Sequence, residues 1–366
     1  MYKSCFKICV RCFTFNHVNY IAETLNGFCS QNTTFPFVCV IVDDASTDGE
    51  QKLILNYVYE NFDLEESSLD NNEDNSNYEV IFARHKTNTN CYFAVYFLKF
   101  NHYSIKKPKL PYTLEWTNHS VYTAICEGDD YWIDPDKLQI QYDYMESHPN
   151  CTMTCHRAML YSERKKKIVG EQYCRNSDGD LNPVDIINRT GLYIPTCSIM
   201  YRPEIRNNYP DYCQNCNVGD YPLQITAAMK GTVHYFNKIM GVYRIDNSSS
   251  FIGKQRIRSM TPARLDIVRS QLEMFKGFSK EYPQYQNVYK NKVFEHIIKN
   301  MPSWNSPNDF KMYSSEFSKE LDNASCRWKL YYWVSRCPIP KIRGLYRRVF
   351  VKDYKPQKRF QNSVNY

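Results

Sequence analysis

Two short acidic stretches hold the residue types in this chain best able to do chemistry. The first is Cys126-Glu127-Gly128-Asp129-Asp130-Tyr131-Trp132, whose carboxylates follow the apolar run Val121 to Cys126. A strand ending in such a cluster offers hard oxygen ligands to a divalent cation such as Mg²⁺ or Mn²⁺. A cation held by few protein ligands keeps open positions, and these suit a diphosphate. The second stretch is Asp43-Asp44-Ala45-Ser46-Thr47-Asp48-Gly49, which follows the apolar run Val38 to Val42. Either stretch alone could be a solvated acidic turn. The recurrence of an acidic pair after a second strand weighs against that alternative.

The elements that must position these carboxylates read as strands alternating with helices. Phe6 to Phe13 reads as a buried strand, followed by a polar turn at Thr14 to His17 and a helix from Val18 to Phe28. Phe37 to Val42 is a second strand. Ser46 to Glu50 then offers capping residues for a helix running through Ile54 and Val58. Asp63 to Asn77 is polar and acidic and reads as a loop, and Tyr78 to Ala83 reads as a third strand. This alternation argues for a parallel α/β sheet, where ligands bind beyond the carboxyl ends of the strands.

Asn90 to Glu115 is aromatic, contains Lys106-Lys107-Pro108-Lys109, and reads as a surface elaboration with no assigned chemistry. Asp136 to Ser147 is expected to be a helix with Leu138, Ile140, Tyr142 and Met145 inward. Cys151 to Leu160, Thr196 to Tyr201 and Val233 to Tyr243 read as strands, and Tyr221 to Met229 as a helix. Arg264 to Phe278 and Val288 to Met301 have helical spacing.

Five segments, in order, resemble the family 2 glycosyltransferases of the GT-A fold. Thr14-Phe15-Asn16-His17 resembles the family's opening turn, and Val40 to Asp48 its "VDDGSTD" signature. Glu127 to Trp132 resembles its D-x-D-type metal motif, Gly219 to Leu223 the segment that supplies the catalytic base, and Val242-Tyr243-Arg244 its "VYR" strand. The resemblance implies a Rossmann-like mixed α/β sheet flanked by helices and a metal-dependent, inverting transfer from a nucleotide-sugar, with a UDP-sugar as the expected donor. It implies Asp220 as catalytic base. It places Thr14, Phe15, Asn16, Asp43, Asp44, Glu127, Gly128, Asp129 and Arg244 at the nucleotide-sugar, with Asp44 on the nucleobase. Asp129 and Asp130, unranked between them, would hold Mn²⁺ or Mg²⁺. Many relatives carry His where this chain has Asp246. That residue either joins the metal or the role is absent. Arg244 is either a phosphate contact or half of a buried ion pair. Gly219 stands where the family usually has an acid.

The chain has 366 residues, a net charge of +7 and 31 tyrosines. Its length suits a catalytic domain over 1–255, with a nucleotide-binding half to about 132 and an acceptor half beyond it. A helical extension would follow over 256–366. Eleven Lys or Arg against one acid between Cys326 and Arg359 suggest an anionic membrane surface as partner. The expected acceptor is a glycan or a lipid-linked glycan, with no nucleic acid bound. Fifteen cysteines, with no secretory or membrane-spanning run, read as reduced thiols of a cytoplasmic protein, peripheral at the inner face of the membrane. Cys9 and Cys12, three apart in a strand, point to opposite faces and cannot share a metal. Cys213 and Cys216 could bind zinc, although chance spacing explains them as well. Two rival classes are a sugar-nucleotide nucleotidyltransferase and a non-catalytic glycan- or nucleic-acid-binding protein. The first lacks its glycine-rich turn here, and the second leaves the paired acids without a use.

Overall fold

A computed structural model describes residues 6–64, 77–189, 193–214, 216, 218–246, 262–300 and 307–323. The basic segment Cys326 to Arg359 and most of the acidic loop Asp63 to Asn77 lie outside the described residues. The chain divides into two compact units. The first comprises Met1–Asn182, Gly191–Asn208 and Leu223–Gly253; the second comprises Pro183–Thr190, Tyr209–Pro222 and Lys254–Tyr366.

The first unit is a mixed α/β structure built on a 12-stranded sheet. Its centre is β1 (Ile8–Thr14), β2 (Phe37–Asp43), β5 (Cys91–Leu98) and β6 (Tyr122–Ile125), all parallel, in the spatial order β6-β1-β2-β5. Strand β5, and β2 up to Val42, read as unbroken apolar runs because both faces are covered, and β2 is buried at every position, whereas β1 carries Arg11 and β6 carries Thr123. Cys9 and Cys12 show the alternation. Both are fully buried, but they belong to separate clusters on opposite faces of the sheet.

The segment expected as the third strand departs from that expectation. β4 (Tyr78–His85) runs antiparallel to β5, and it is β5 that pairs with β2. Cys91–Leu98 therefore belongs to the core of the sheet and is no surface elaboration. Its all-apolar sequence, with Phe93, Ala94 and Val95 fully buried, fits a strand covered on both faces. On the other side of β6, the short β11 (Met200–Tyr201) is antiparallel to both β6 and β8 (Cys151–Ser162). Strand β8 thus runs in the same sense as β1. Strand β12 (Thr232–Ile245) is parallel to β8 and unbroken over 14 residues. Thr196 to Ser198, expected in a strand, forms a 3₁₀ turn instead.

Six strands therefore end at one edge of the sheet: β1 at Thr14, β2 at Asp43, β5 at Leu98, β6 at Ile125, β8 at Ser162 and β12 at Ile245. Helix α1 (Ile21–Cys29) follows β1, and α2 (Glu50–Asn61) follows β2. The N-cap of α2 is Gly49, at φ 98°, rather than a capping side chain. Among the described residues no helix is long and apolar enough to cross a membrane.

Helix α4 (Lys137–Ser147) turns Lys137, Leu138, Gln141 and Met145 inward, leaving Ile140 and Tyr142 half-buried. Gln141 earns its buried place by donating to the Thr154 hydroxyl at 3.1 Å and the Ser198 carbonyl at 2.9 Å. Lys137 is fully buried with no hydrogen-bond partner for Nζ, which lies 3.8 Å from the centre of the Trp132 ring. Burial lowers its ammonium to about 7. An unfolded lysine stays charged to about pH 10.4. The folded state therefore binds fewer protons between these values, so stability rises with pH through that window and is lost as pH falls toward 7. Lys137→Met is expected to stabilise the protein by roughly 1–3 kcal/mol at pH 7 and to flatten the rise toward pH 10. Denaturant titrations at pH 7 and pH 9.5 in reducing buffer measure both effects. A destabilised variant with the wild-type pH slope would rule the role out.

The second unit contains helices Pro262–Glu281, Gln286–Lys299, Pro307–Glu316 and Ser318–Asp322. Phe275, Phe278, Tyr289 and Tyr313 are fully buried within it. Phe278 and Tyr289 stack at 5.6 Å, and Lys292 donates to the Asn188 carbonyl at 2.7 Å.

Candidate active site

The turn after β1 is built around a buried carboxylate that the motifs did not single out. Glu50 accepts from the Thr14 hydroxyl, from the His17 amide at 2.8 Å and from the Ser46 hydroxyl at 2.9 Å. Burial raises its carboxyl to about 7. Asn16, at φ 55°, takes the Ser46 hydroxyl oxygen on its amide at 2.9 Å and offers Oδ1 to the Thr47 amide at 2.9 Å. The turns after β1 and β2 are thus stitched into one surface. His17 lies 3.1 Å from the Thr14 hydroxyl, and burial lowers its imidazolium.

Asp43 and Asp44 are both fully buried. Asp43 Oδ1 accepts from the Ser46 amide at 3.0 Å and from Gln51 at 2.5 Å, while Oδ2 has no hydrogen-bond partner. Desolvation raises its carboxyl. Asp44 accepts from the His102 amide at 2.6 Å, the Tyr103 amide at 3.2 Å and Lys109 Nζ at 2.7 Å. Its carboxylate therefore anchors the turn that follows β5.

The acidic turn after β6 sits against the end of β1. Glu127 accepts from the Phe13 amide at 3.1 Å, with Arg11 4.0 Å away, and the Gly128 amide donates to the Phe13 carbonyl at 3.0 Å. A Cβ on Gly128 would come within 2.1 Å of Thr14 Oγ1, so this approach requires glycine. Thr24 of α1 donates to the Gly128 carbonyl at 3.1 Å and the Asp130 carbonyl at 2.6 Å.

The structure separates the two aspartates. Asp129 is half-buried, whereas Asp130 is 2% exposed and accepts from the Arg244 amide at 2.8 Å. Burial, with the Asp129 charge adding to it, pushes the Asp130 carboxyl well above the usual range. Carboxylate oxygens with uncompensated negative charge fit a hard divalent cation. Among the described residues no three His, Cys, Asp or Glu side chains are grouped so as to hold a metal ion. One Asp246 oxygen accepts from Ser162 at 2.9 Å.

Arg244 is the hub on this side. Its guanidinium donates to Glu163 at 2.9 Å, to the Asp129 carbonyl at 2.6 Å and to Glu23. It lies 4.6 Å from the Tyr131 ring and 5.1 Å from the Tyr20 ring. Buried ion pairing is therefore what the described structure shows for it. Beside it opens a polar cleft of about 380 Å³ whose walls include Tyr20, Tyr131, Tyr161 and Glu163. Glu23 and Glu163 were not foreseen, because these partners lie 221 and 81 residues from Arg244 in sequence.

Among the described residues, the non-glycine positions with left-handed backbone are Asn16, Ala45, Lys106, Lys166 and Asp246. Each lies in the turn after one of the strands that end at this edge. Such backbone is held only where surrounding contacts over-determine it, and it concentrates at ligand-binding edges. Asp220 opens helix α8 (Asp220–Lys230) and accepts from the Tyr221 amide at 2.8 Å. It belongs to the second unit.

No family model matches the chain. It is 28% identical over 238 residues to an uncharacterized protein of Mycobacterium bovis and to one of Mycobacterium tuberculosis, covering 63% of this chain and 56% of each relative. The chain thus spans just over half the length of these curated relatives. Among solved structures, residues 1–349 of S. aureus TarS in complex with UDP-GlcNAc align with a TM-score of 0.47 at 14% identity, covering 95% of this chain and 91% of that one. A mannosyltransferase from Pyrobaculum calidifontis in complex with GDP-Man and Mn²⁺ aligns with a TM-score of 0.47 at 12% identity, covering 93% of this chain and 82% of that one.

Proposed function

We propose that the chain is a metal-dependent, inverting glycosyltransferase of the GT-A type. It moves a sugar from a UDP-sugar to a glycan or lipid-linked glycan acceptor in cell-surface polysaccharide synthesis, at the cytoplasmic face of the membrane. The observation that carries this reading is the gathering of Thr14–Asn16, Asp43–Asp44, Glu127–Asp130 and Arg244 at one edge of one sheet, from strands up to 115 residues apart in their contacts. Open α/β sheets bind their ligands at that edge.

In this reading the Thr14–Asn16 turn and the Asp43–Asp44 pair receive the nucleoside. Glu127 and Gly128 border the ribose and diphosphate. Asp129, with Asp130 behind it, would hold Mg²⁺ or Mn²⁺. A bound ion would act there as a Lewis acid on the diphosphate. Arg244 fixes the Asp129–Asp130 backbone, so the two carboxylates keep their separate orientations. The acceptor hydroxyl oxygen bonds to the anomeric carbon as the bond to the diphosphate breaks, and Asp220 takes the hydroxyl proton. NMR of the first-formed product tests the stereochemistry. An α-linked donor should give a β-linked product, and an α-linked first product would exclude single displacement.

Asp44 has a double task here, since three of the roughly four acceptor positions of its carboxylate are already taken. The remaining position suits the imide N–H of uracil. Asp44→Ala is expected to weaken UDP binding by roughly 1–3 kcal/mol, the scale of a hydrogen bond to a charged group. Calorimetry on a variant with wild-type circular dichroism measures it, and unchanged affinity would remove Asp44 from the base pocket.

A further inference from the structure

Within the first unit, the turn from Lys99 to Lys109 has a surface that nucleotide-sugar chemistry does not use. Its side chains Phe100, Tyr103 and Ile105 are 57%, 62% and 61% exposed, the three most exposed large apolar side chains among the described residues. They fall within six consecutive positions. The residues from 99 to 109 include four lysines and no acid. Lys109 is engaged by Asp44 and Lys99 faces Glu79 at 3.9 Å, whereas Lys106 and Lys107 are exposed.

The turn holds itself together. The Ser104 amide donates to Asn101 Oδ1 and its hydroxyl to the Asn101 carbonyl, both at 2.7 Å. The Lys107 amide donates to the His102 carbonyl at 2.9 Å, and the His102 and Tyr103 amides are held by buried Asp44. A turn that meets these backbone bonds internally carries fewer polar groups into a lipid interface, where an unmet one is costly. Outward aromatic and branched side chains beside lysines match the apolar and anionic layers of such an interface.

We propose that the turn Lys99–Lys109 is a contact with an anionic phospholipid surface. Phe100, Tyr103 and Ile105 enter the headgroup–acyl boundary, and Lys106 and Lys107 pair with lipid phosphates. The contact can be tested apart from the transfer reaction, because the side chains altered below and the vesicle measurement involve no donor or acceptor.

The full chain is to be sedimented with vesicles of roughly three parts phosphatidylcholine to one part phosphatidylglycerol, and with pure phosphatidylcholine, in about 100 mM salt. The wild type should bind the anionic vesicles and not the neutral ones. The variant Phe100→Ser/Tyr103→Ser/Ile105→Ser should bind roughly tenfold or more weakly. A second variant, Lys106→Glu/Lys107→Glu, should lose roughly tenfold as well, with a shallower salt dependence. Both alter exposed side chains, and unchanged thermal melts would show that they fold. A wild type that stays in the supernatant with anionic vesicles would overturn the proposal. So would an apolar variant that sediments like the wild type, which would move any membrane contact elsewhere in the chain or give this surface to a protein partner.

Discussion

Asp129→Asn is expected to abolish metal-stimulated turnover while leaving the fold intact. The backbone of the acidic turn is held by several groups besides that carboxylate. Thr24 holds the Gly128 and Asp130 carbonyls, Arg244 holds the Asp129 carbonyl, and the Gly128 amide is held by β1. What the substitution removes is a half-buried charge at the edge where a diphosphate would sit. Loss of Lewis-acid stabilisation of a leaving diphosphate costs several kcal/mol, so turnover should fall by roughly 10³-fold or more. Asp130→Asn should also lose metal-dependent turnover. An asparagine carbonyl can still accept from the Arg244 amide, so its melting temperature should stay close to wild type. Turnover measured across a Mn²⁺ titration checks both, and wild-type metal dependence in both variants would remove the ion from this turn.

Asp220→Asn carries the second large effect. Asparagine keeps the acceptor oxygen that meets the Tyr221 amide, so the start of α8 should be undisturbed. It cannot take a proton from an attacking hydroxyl. Donor affinity should therefore survive while transfer falls by roughly 10²–10⁴-fold, the range for a positioned acid–base group. Parallel calorimetry with the donor and single-turnover kinetics separate the two quantities. Near-wild-type transfer would place the base elsewhere.

What could be read directly from the sequence was whatever is local along the chain. The apolar run of β2 showed as a strand because burial on both faces leaves no polar interruption before Asp43, β1 and β8 showed despite Arg11 in the one and Thr152, Thr154, His156 and Arg157 in the other, and the acidic pairs fell after β2 and β6. The placement of Cys91–Leu98 did not. Its aromatic texture fits a strand or a half-buried surface equally well, and pairing with β2 rather than β4 is decided only by tertiary contacts. The inward face of helix α4 was legible only in part, for a different reason: Leu138 and Met145 are buried as expected, and Tyr142 packs half-buried against Phe35. Hydrophobic spacing favoured Ile140 and Tyr142, but Gln141 gained buried partners on β8 and in the Thr196–Ser198 turn, and Lys137 stacked on Trp132.

The candidate site divides in the same way. Motif order brought out Asp43, Asp44, Glu127, Asp129 and Asp130. The residues that brace this edge were invisible, because Glu50 meets His17 across 33 residues of sequence, Lys109 meets Asp44 across 65, and Glu163 and Glu23 meet Arg244 across 81 and 221. Asp44 is the instructive case. Its neighbours in sequence carry the motif, but only the fold shows that the turn after β5 supplies two amides and a lysine to the same buried carboxylate.

The most direct test is release of UDP from a panel of UDP-sugars by the full chain, with Mn²⁺, with EDTA, and with the Asp129→Asn variant in parallel. Nucleotide-sugar transfer predicts slow UDP release from at least one donor in Mn²⁺, falling to background in EDTA and in the variant. If no donor is bound or cleaved in Mn²⁺, or if UDP release is unchanged by EDTA and by Asp129→Asn, metal-dependent sugar transfer at this sheet edge is contradicted.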